Sequence, residues 1–152
     1  MSASLLLHVL SVVVWVGGMF FAYMALRPVA ASVLEPPLRL TLWAGVFGKF
    51  FPWVWASVAL ILLTGLHMLM KISGSGMPHY ALAMLVLGVV MMLIFAHVFF
   101  APYKKLKRAV AEQNWKAGGV ALGQIRMLIG INLSIGLLTI AVVFLGRGLA
   151  VA

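Results

Sequence analysis

The chain has no cysteine, which excludes disulfides, thiolate metal sites and cysteine nucleophiles, and leaves any metal to histidine, methionine or oxygen ligands. Acid is almost as scarce. Only Glu35 and Glu112 carry carboxylates, and both fall in connections between apolar runs, so no acidic relay is available within a membrane for proton-coupled pumping. Charged residues of both signs make up 9% of the 152 positions, against about a quarter in a soluble globular domain.

Hydrocarbon fills the space that charge leaves. Hydrophobic side chains make up 65% of the chain and the mean hydropathy is +1.19, which is the composition of an integral membrane protein. Four runs, near 4–26, 52–70, 79–100 and 127–146, approach the ~20 residues that a spanning helix needs. The first has neither a basic leader nor a small-residue cleavage pattern, and is expected as a mature helix ending at Arg27-Pro28. Pro52 stands at the start of the second, where proline is tolerated. Gly74-Ser75-Gly76 and Pro78 make the turn to the third run, and Pro102 closes it. The expected fold is all-α: a polytopic four-helix membrane bundle, one transmembrane domain over 1–152, with both termini on one side.

Orientation follows from the basic residues. Arg27, Arg39 and Lys49 lie in the connection 27–51, and Lys104, Lys105, Lys107, Arg108, Lys116 and Arg126 in the connection 101–126; only Lys71 and Arg147 lie on the other side. The positive-inside rule makes the first group cytoplasmic and turns the termini outward, to the periplasm of a bacterial inner membrane. The formal charge of +9 thus answers to orientation and anionic headgroups, and nucleic acid is not an expected partner. Two segments are expected in the cytoplasmic interface. One is 36–50, with an apolar stripe of Leu38, Leu42, Trp43, Val46 and Phe50; the other is the basic stretch 103–115.

Helical phase singles out the histidines. At 100° per residue, Ser4, His8, Ser11, Trp15, Gly18, Ala22 and Ala25 share one face of the first helix, and Trp53, Ser57, Leu60, Thr64 and His67 form a stripe on the second. Antiparallel neighbours would bring His8 and His67 to matching depths, roughly 5 Å inside the outer boundary. His79, at the start of the third helix, would complete a group of three. An imidazole at such depth is costly without partners and marks a ligand or relay site; a hydrogen bond to a neighbouring helix would satisfy it equally well.

Methionine supplies a second signal. The stretch HMLMKISGSGMPH places Met68, Met70 and Met77 among His67 and His79, and thioether with imidazole suits Cu(I). These methionines, three of ten, also have a plain reading as adaptable apolar filler. Heme b is the competing cofactor, with His8 and His67 as axial ligands, Trp15 below them, and Gly17 and Gly18 clearing room for a macrocycle. His97 lies roughly 27 Å along the third helix from His79, with no second histidine at its level. It is placed to ligate, to relay a proton, or to hold an anion with the neighbouring lysines. In the fourth run Arg126, Gly130 and Ser134 form one row, and Asn132 with Gly136 another, which reads first as helix packing.

The stretches LHVLSVVVWVGGMFF at 7–21, HVFFAPYKKLKRAV at 97–110 and IRMLIGINLSIGLLTIAV at 125–142 resemble the small CopD-like membrane proteins of the copper-resistance D family. This resemblance implies copper handling or transport across the inner membrane, with His8 and Trp15 matching the first-helix motif and His97 the third-helix one. In size and in its first-helix histidine the chain is also similar to HemJ-type protoporphyrinogen oxidases, which bind heme b. Their Asn-Glu motif in the last helix is absent here, where Leu133 follows Asn132, which tells against an enzyme. The expectation is a copper site with His8 and His67 as primary ligands, and His79, Met68, Met70 and Met77 at its entrance. A heme-dependent oxidoreductase and an accessory subunit of a larger membrane complex or homo-oligomer stand as alternatives.

Overall fold

The structure, a computed structural model, describes residues 2–72 and 76–151, with side chains at 3–72, 76–146 and 148. The described residues form helices and short joints, with no strand among them. This follows from the sequence: in hydrocarbon every backbone N–H and C=O must bond internally, and uninterrupted apolar runs do so as helices.

Helix α1 (Ser2–Phe21) does not stop at Arg27-Pro28 as expected. It widens into a π-helical turn over Ala22–Leu26 and continues as α2 (Arg27–Val33). The Arg27 N–H reaches back to the Ala22 carbonyl, so one extra residue is accommodated just before Pro28, whose ring would clash with the preceding turn of a regular helix. The insertion shifts the phase of the buried face. Ser11, Trp15 and Ala22 are buried as expected, but Ala25 is exposed and Ala30 takes up the inner position.

Helix α3 (Pro36–Ile72) joins the stretch 36–50 to the second apolar run. It is one 37-residue helix with Pro52 inside it, and Leu40, Trp43, Phe47 and Phe51 face the core. Hydrophobic residues three or four apart continue straight through Pro52, and their burial outweighs the one backbone bond the proline removes. On its second half Ser57 and Thr64 are buried, whereas Trp53 is exposed.

Helix α4 (His79–Phe100) follows Pro78, whose carbonyl accepts from the N–H groups of Ala81 and Leu82. Of the turn before it, Gly74 and Ser75 lie outside the described residues, while Gly76 adopts φ +85°, which glycine takes without strain. Pro102 both ends α4 and opens α5 (Pro102–Ala111). The basic stretch is therefore a short helix with Tyr103, Leu106 and Ala109 buried against the bundle. Gln113, at φ 55°, turns the chain, and the Asn114 side-chain oxygen caps the Ala117 N–H at 3.2 Å to start α6 (Trp115–Val151). This last helix begins a dozen residues before the expected run.

Helix α1 packs along α3, α4 along α6, and α5 lies on α6. Aromatic rings lock the basic end: Phe51 meets Phe47 at 5.0 Å, Phe95 at 5.4 Å and Tyr103 at 4.8 Å between centroids. Four stretches, Ala3–Val33, Pro36–Ile72, His79–Ala111 and Trp115–Gly146, are long and apolar enough to cross a membrane. With large residues such as Leu63, Phe144 and Leu145 exposed around the outside, the molecule is a multi-pass membrane protein.

Candidate metal centre

The half-buried histidine of the bundle is His8. Its Nδ1 lies 2.9 Å from the hydroxyl oxygen of Thr64 on α3. Thr64 has one hydroxyl proton, and the Leu60 carbonyl, which can only accept, takes it at 2.5 Å. The threonine oxygen must then accept from His8. His8 also has a hydrogen bond to the backbone of Ile61; in the tautomer with its proton on Nδ1, Nε2 carries the lone pair, the arrangement in which a metal-ligating histidine is oriented by its other nitrogen.

Sequence places the two partners in reach. His8 stands one turn before Ser11, whose hydroxyl returns to the Leu7 carbonyl at 2.8 Å and so adds no competing donor. Opposite, Gly65 leaves the surface of α3 low: a Cβ there would lie 3.5 Å from His8 Cε1, in van der Waals contact. The imidazole thus rests on α3 and is held by it.

The other expected ligands are arranged differently. His67, one turn beyond Thr64, is exposed, and the hydrogen bond expected to unite the two helices at this depth is made by Thr64. His79 is exposed at the first residue of α4, and no group of three or more His, Cys, Asp or Glu side chains stands close enough to hold a metal ion among the described residues. The three-histidine cluster is therefore not formed. Met68 is partly buried, and Met70 and Met77 are 63% and 43% exposed near the same end. His97 is exposed on the opposite half of α4, where its carbonyl accepts from the Ala101 N–H.

Trp15 is buried, with its ring edge-on to Phe95 at 6.1 Å. The room expected for a macrocycle at Gly17 and Gly18 divides between two uses. Gly17 faces open space, and the surface of Gly18 is filled by the Phe50 ring. The second glycine is thus a packing notch for α3, and the space beside it is not free for a heme.

Two buried residues carry more than the sequence pattern suggested. Asn132 is 3% exposed and donates from Nδ2 to the Met91 carbonyl at 3.3 Å, while its Oδ1 has no partner among the described residues. Met19, also 3% exposed, lies on the His8 face of α1. Its signal was the i, i+4 step from Trp15.

No curated protein and no solved structure matches the chain. A family model described as copper resistance protein D matches residues 44–145, more than half of the sequence. The match covers α3 from Ala44 through α4 and α5 to Leu145 of α6, and leaves α1 with His8 outside it. By this match the chain belongs to the copper resistance protein D family.

Proposed function

We propose that the protein handles copper at the outer face of a bacterial inner membrane, receiving it as Cu(I) at His8 and passing it into or along the bundle. The observation that carries this reading is the His8–Thr64 hydrogen bond at 2.9 Å, which leaves Nε2 as a neutral nitrogen donor suited to a soft cation. His67, Met68, Met70, Met77 and His79 lie at the end of α3, in the following joint and at the start of α4. They act as approach ligands, exposed or half-exposed, that concentrate the ion before it meets His8. The termini and this joint face the periplasm, and the basic end the cytoplasm. Family membership supports copper as the cargo.

Anaerobic titration of the detergent-solubilised protein with Cu(I), against a chromogenic chelator, tests the proposal. The expected result is a colourless protein that retains Cu(I), loses it on His8→Ala, and binds it more weakly on His67→Ala. A Soret band that disappears in both variants would replace copper by heme b. Unchanged Cu(I) retention in both would remove the histidines from the site.

A further inference from the structure

At the basic end, α5 and the start of α6 border an open groove of about 500 Å³. Small residues create it. Ala109 and Ala121 are buried along its floor, and a Cβ on Gly118 would lie 3.5 Å from the Ala109 Cβ. With the two helices this close, the long side chains on either side stand as walls.

The cations of α5 divide between two faces. Lys104 lies over the Phe100 ring at 5.5 Å and Lys107 over Tyr103 at 4.7 Å. Lys105 and Arg108, each one position further round the helix, line the groove instead, together with Lys116 of α6. All three are exposed, and none enters an ion pair among the described residues. Glu112 is the one carboxylate in the lining. The reversal at Gln113 runs α5 and α6 antiparallel, so the Ala109–Gly118 approach sets their register. Glu112 and Lys116 stand beside the reversal. Lys105 and Arg108 stand nearer the membrane, beside the turn of α6 that carries Val120 and Gln124.

Charge at that end of the groove selects an anion, and the planar fork of Arg108 matches the oxygens of a phosphate. The surface beyond it selects what the phosphate is attached to. Val120, Gln124, Met127 and Ile131 fall within about 60° on one side of α6, and the three apolar members are 62%, 58% and 46% exposed. The stripe leads from the groove into the apolar run 127–146. We infer that the α5–α6 groove binds an anionic phospholipid. Lys105, Arg108 and the Gln124 amide hold its headgroup phosphate, and an acyl chain lies along Val120, Met127 and Ile131. Basic pockets beside spanning helices suit such headgroups. The site is at the opposite end of the bundle from His8 and does not depend on the copper reading.

The test uses the full chain in detergent with dioctanoyl phosphatidylglycerol as the probe. Dioctanoyl phosphatidylcholine and inorganic phosphate are the comparison ligands, and native mass spectrometry counts what is bound. The wild type is expected to hold one phosphatidylglycerol in preference to both. The double variant Lys105→Gln/Arg108→Gln should weaken it roughly 10- to 30-fold. The double variant Lys104→Gln/Lys107→Gln removes the same charge from the other face of α5 and should bind as the wild type does. All four side chains are exposed, and melting temperatures without lipid check that both variants fold; the single variants Lys105→Gln and Arg108→Gln replace a double variant that does not. Equal losses in the two double variants would reduce the binding to diffuse attraction and overturn the site. Equal retention of phosphatidylcholine would overturn the charge selection, and inorganic phosphate held as tightly as phosphatidylglycerol would replace the lipid by a free anion.

Discussion

Thr64 is the residue on which the candidate site turns, because it decides which imidazole nitrogen of His8 is free. Replacing it by valine keeps the shape and removes the acceptor for Nδ1–H. The ring then loses its side-chain anchor and keeps only the backbone of Ile61, and outer-shell partners of metal-binding histidines are worth 10- to 100-fold in affinity. Thr64→Val is therefore expected to weaken Cu(I) binding by roughly that factor, while Thr64→Ser, which retains an oxygen at the same place, stays close to the wild type. Chelator competition on the three proteins measures it. A valine variant with unchanged affinity would show that Thr64 serves packing alone. The protein without metal should lose about 1 kcal/mol with valine, the net value of one hydrogen bond, seen as a lower melting temperature.

At the scale of the element, adjacent glycines provide a sharp comparison. A Cβ on Gly17 meets nothing within 4 Å, whereas one on Gly18 collides with Phe50. Gly17→Ala should be neutral or stabilise by up to about 1 kcal/mol through reduced backbone freedom. Gly18→Ala must displace the ring, and overpacking of that kind costs about 1–3 kcal/mol. Thermal unfolding of the two variants in one detergent should move in opposite directions; equal shifts would mean that α1 and α3 do not meet at this notch. The four long runs and the small, polar face of α1 were legible in the sequence because period and composition both report them. Three features were not. The π turn at Ala22–Leu26 leaves no compositional mark beyond Pro28, so the face was followed to Ala25 when it had already moved toward Ala30. Pro52 read as a boundary because its local cost is visible and the compensating burial of Phe47, Phe51 and Val54 is not. The partner of His8 was missed for a related reason: a stripe drawn through Thr64 and His67 does not say which of the two reaches the neighbouring helix.

For the molecule as a whole, the proposed orientation rests on length and charge together. Helix α3 has 37 residues, about 55 Å at 1.5 Å per residue, against a hydrocarbon thickness of about 30 Å. The excess belongs at the end where Arg39 and Lys49 stand on α3, beside α5 and the start of α6. There Arg27 lies over the Tyr23 ring at 4.7 Å and Lys107 over Tyr103 at 4.7 Å, which anchors cations at the level of the headgroups while their charges stay near water. The two acidic residues, Glu35 and Glu112, fall at this end as well and leave it an excess of positive charge, which in the proposed orientation meets the anionic headgroups of the cytoplasmic leaflet. The lack of native cysteine makes this orientation directly measurable. Single substitutions Met77→Cys, in the joint before α4, and Lys105→Cys, on α5, introduce one thiol each on exposed side chains at opposite ends of the bundle. In intact spheroplasts a membrane-impermeant maleimide should label Met77→Cys and spare Lys105→Cys, and permeabilisation should expose both. The reverse pattern would invert the molecule, put His8 near the cytoplasm, and turn the proposed path from uptake at the periplasmic face into capture from within.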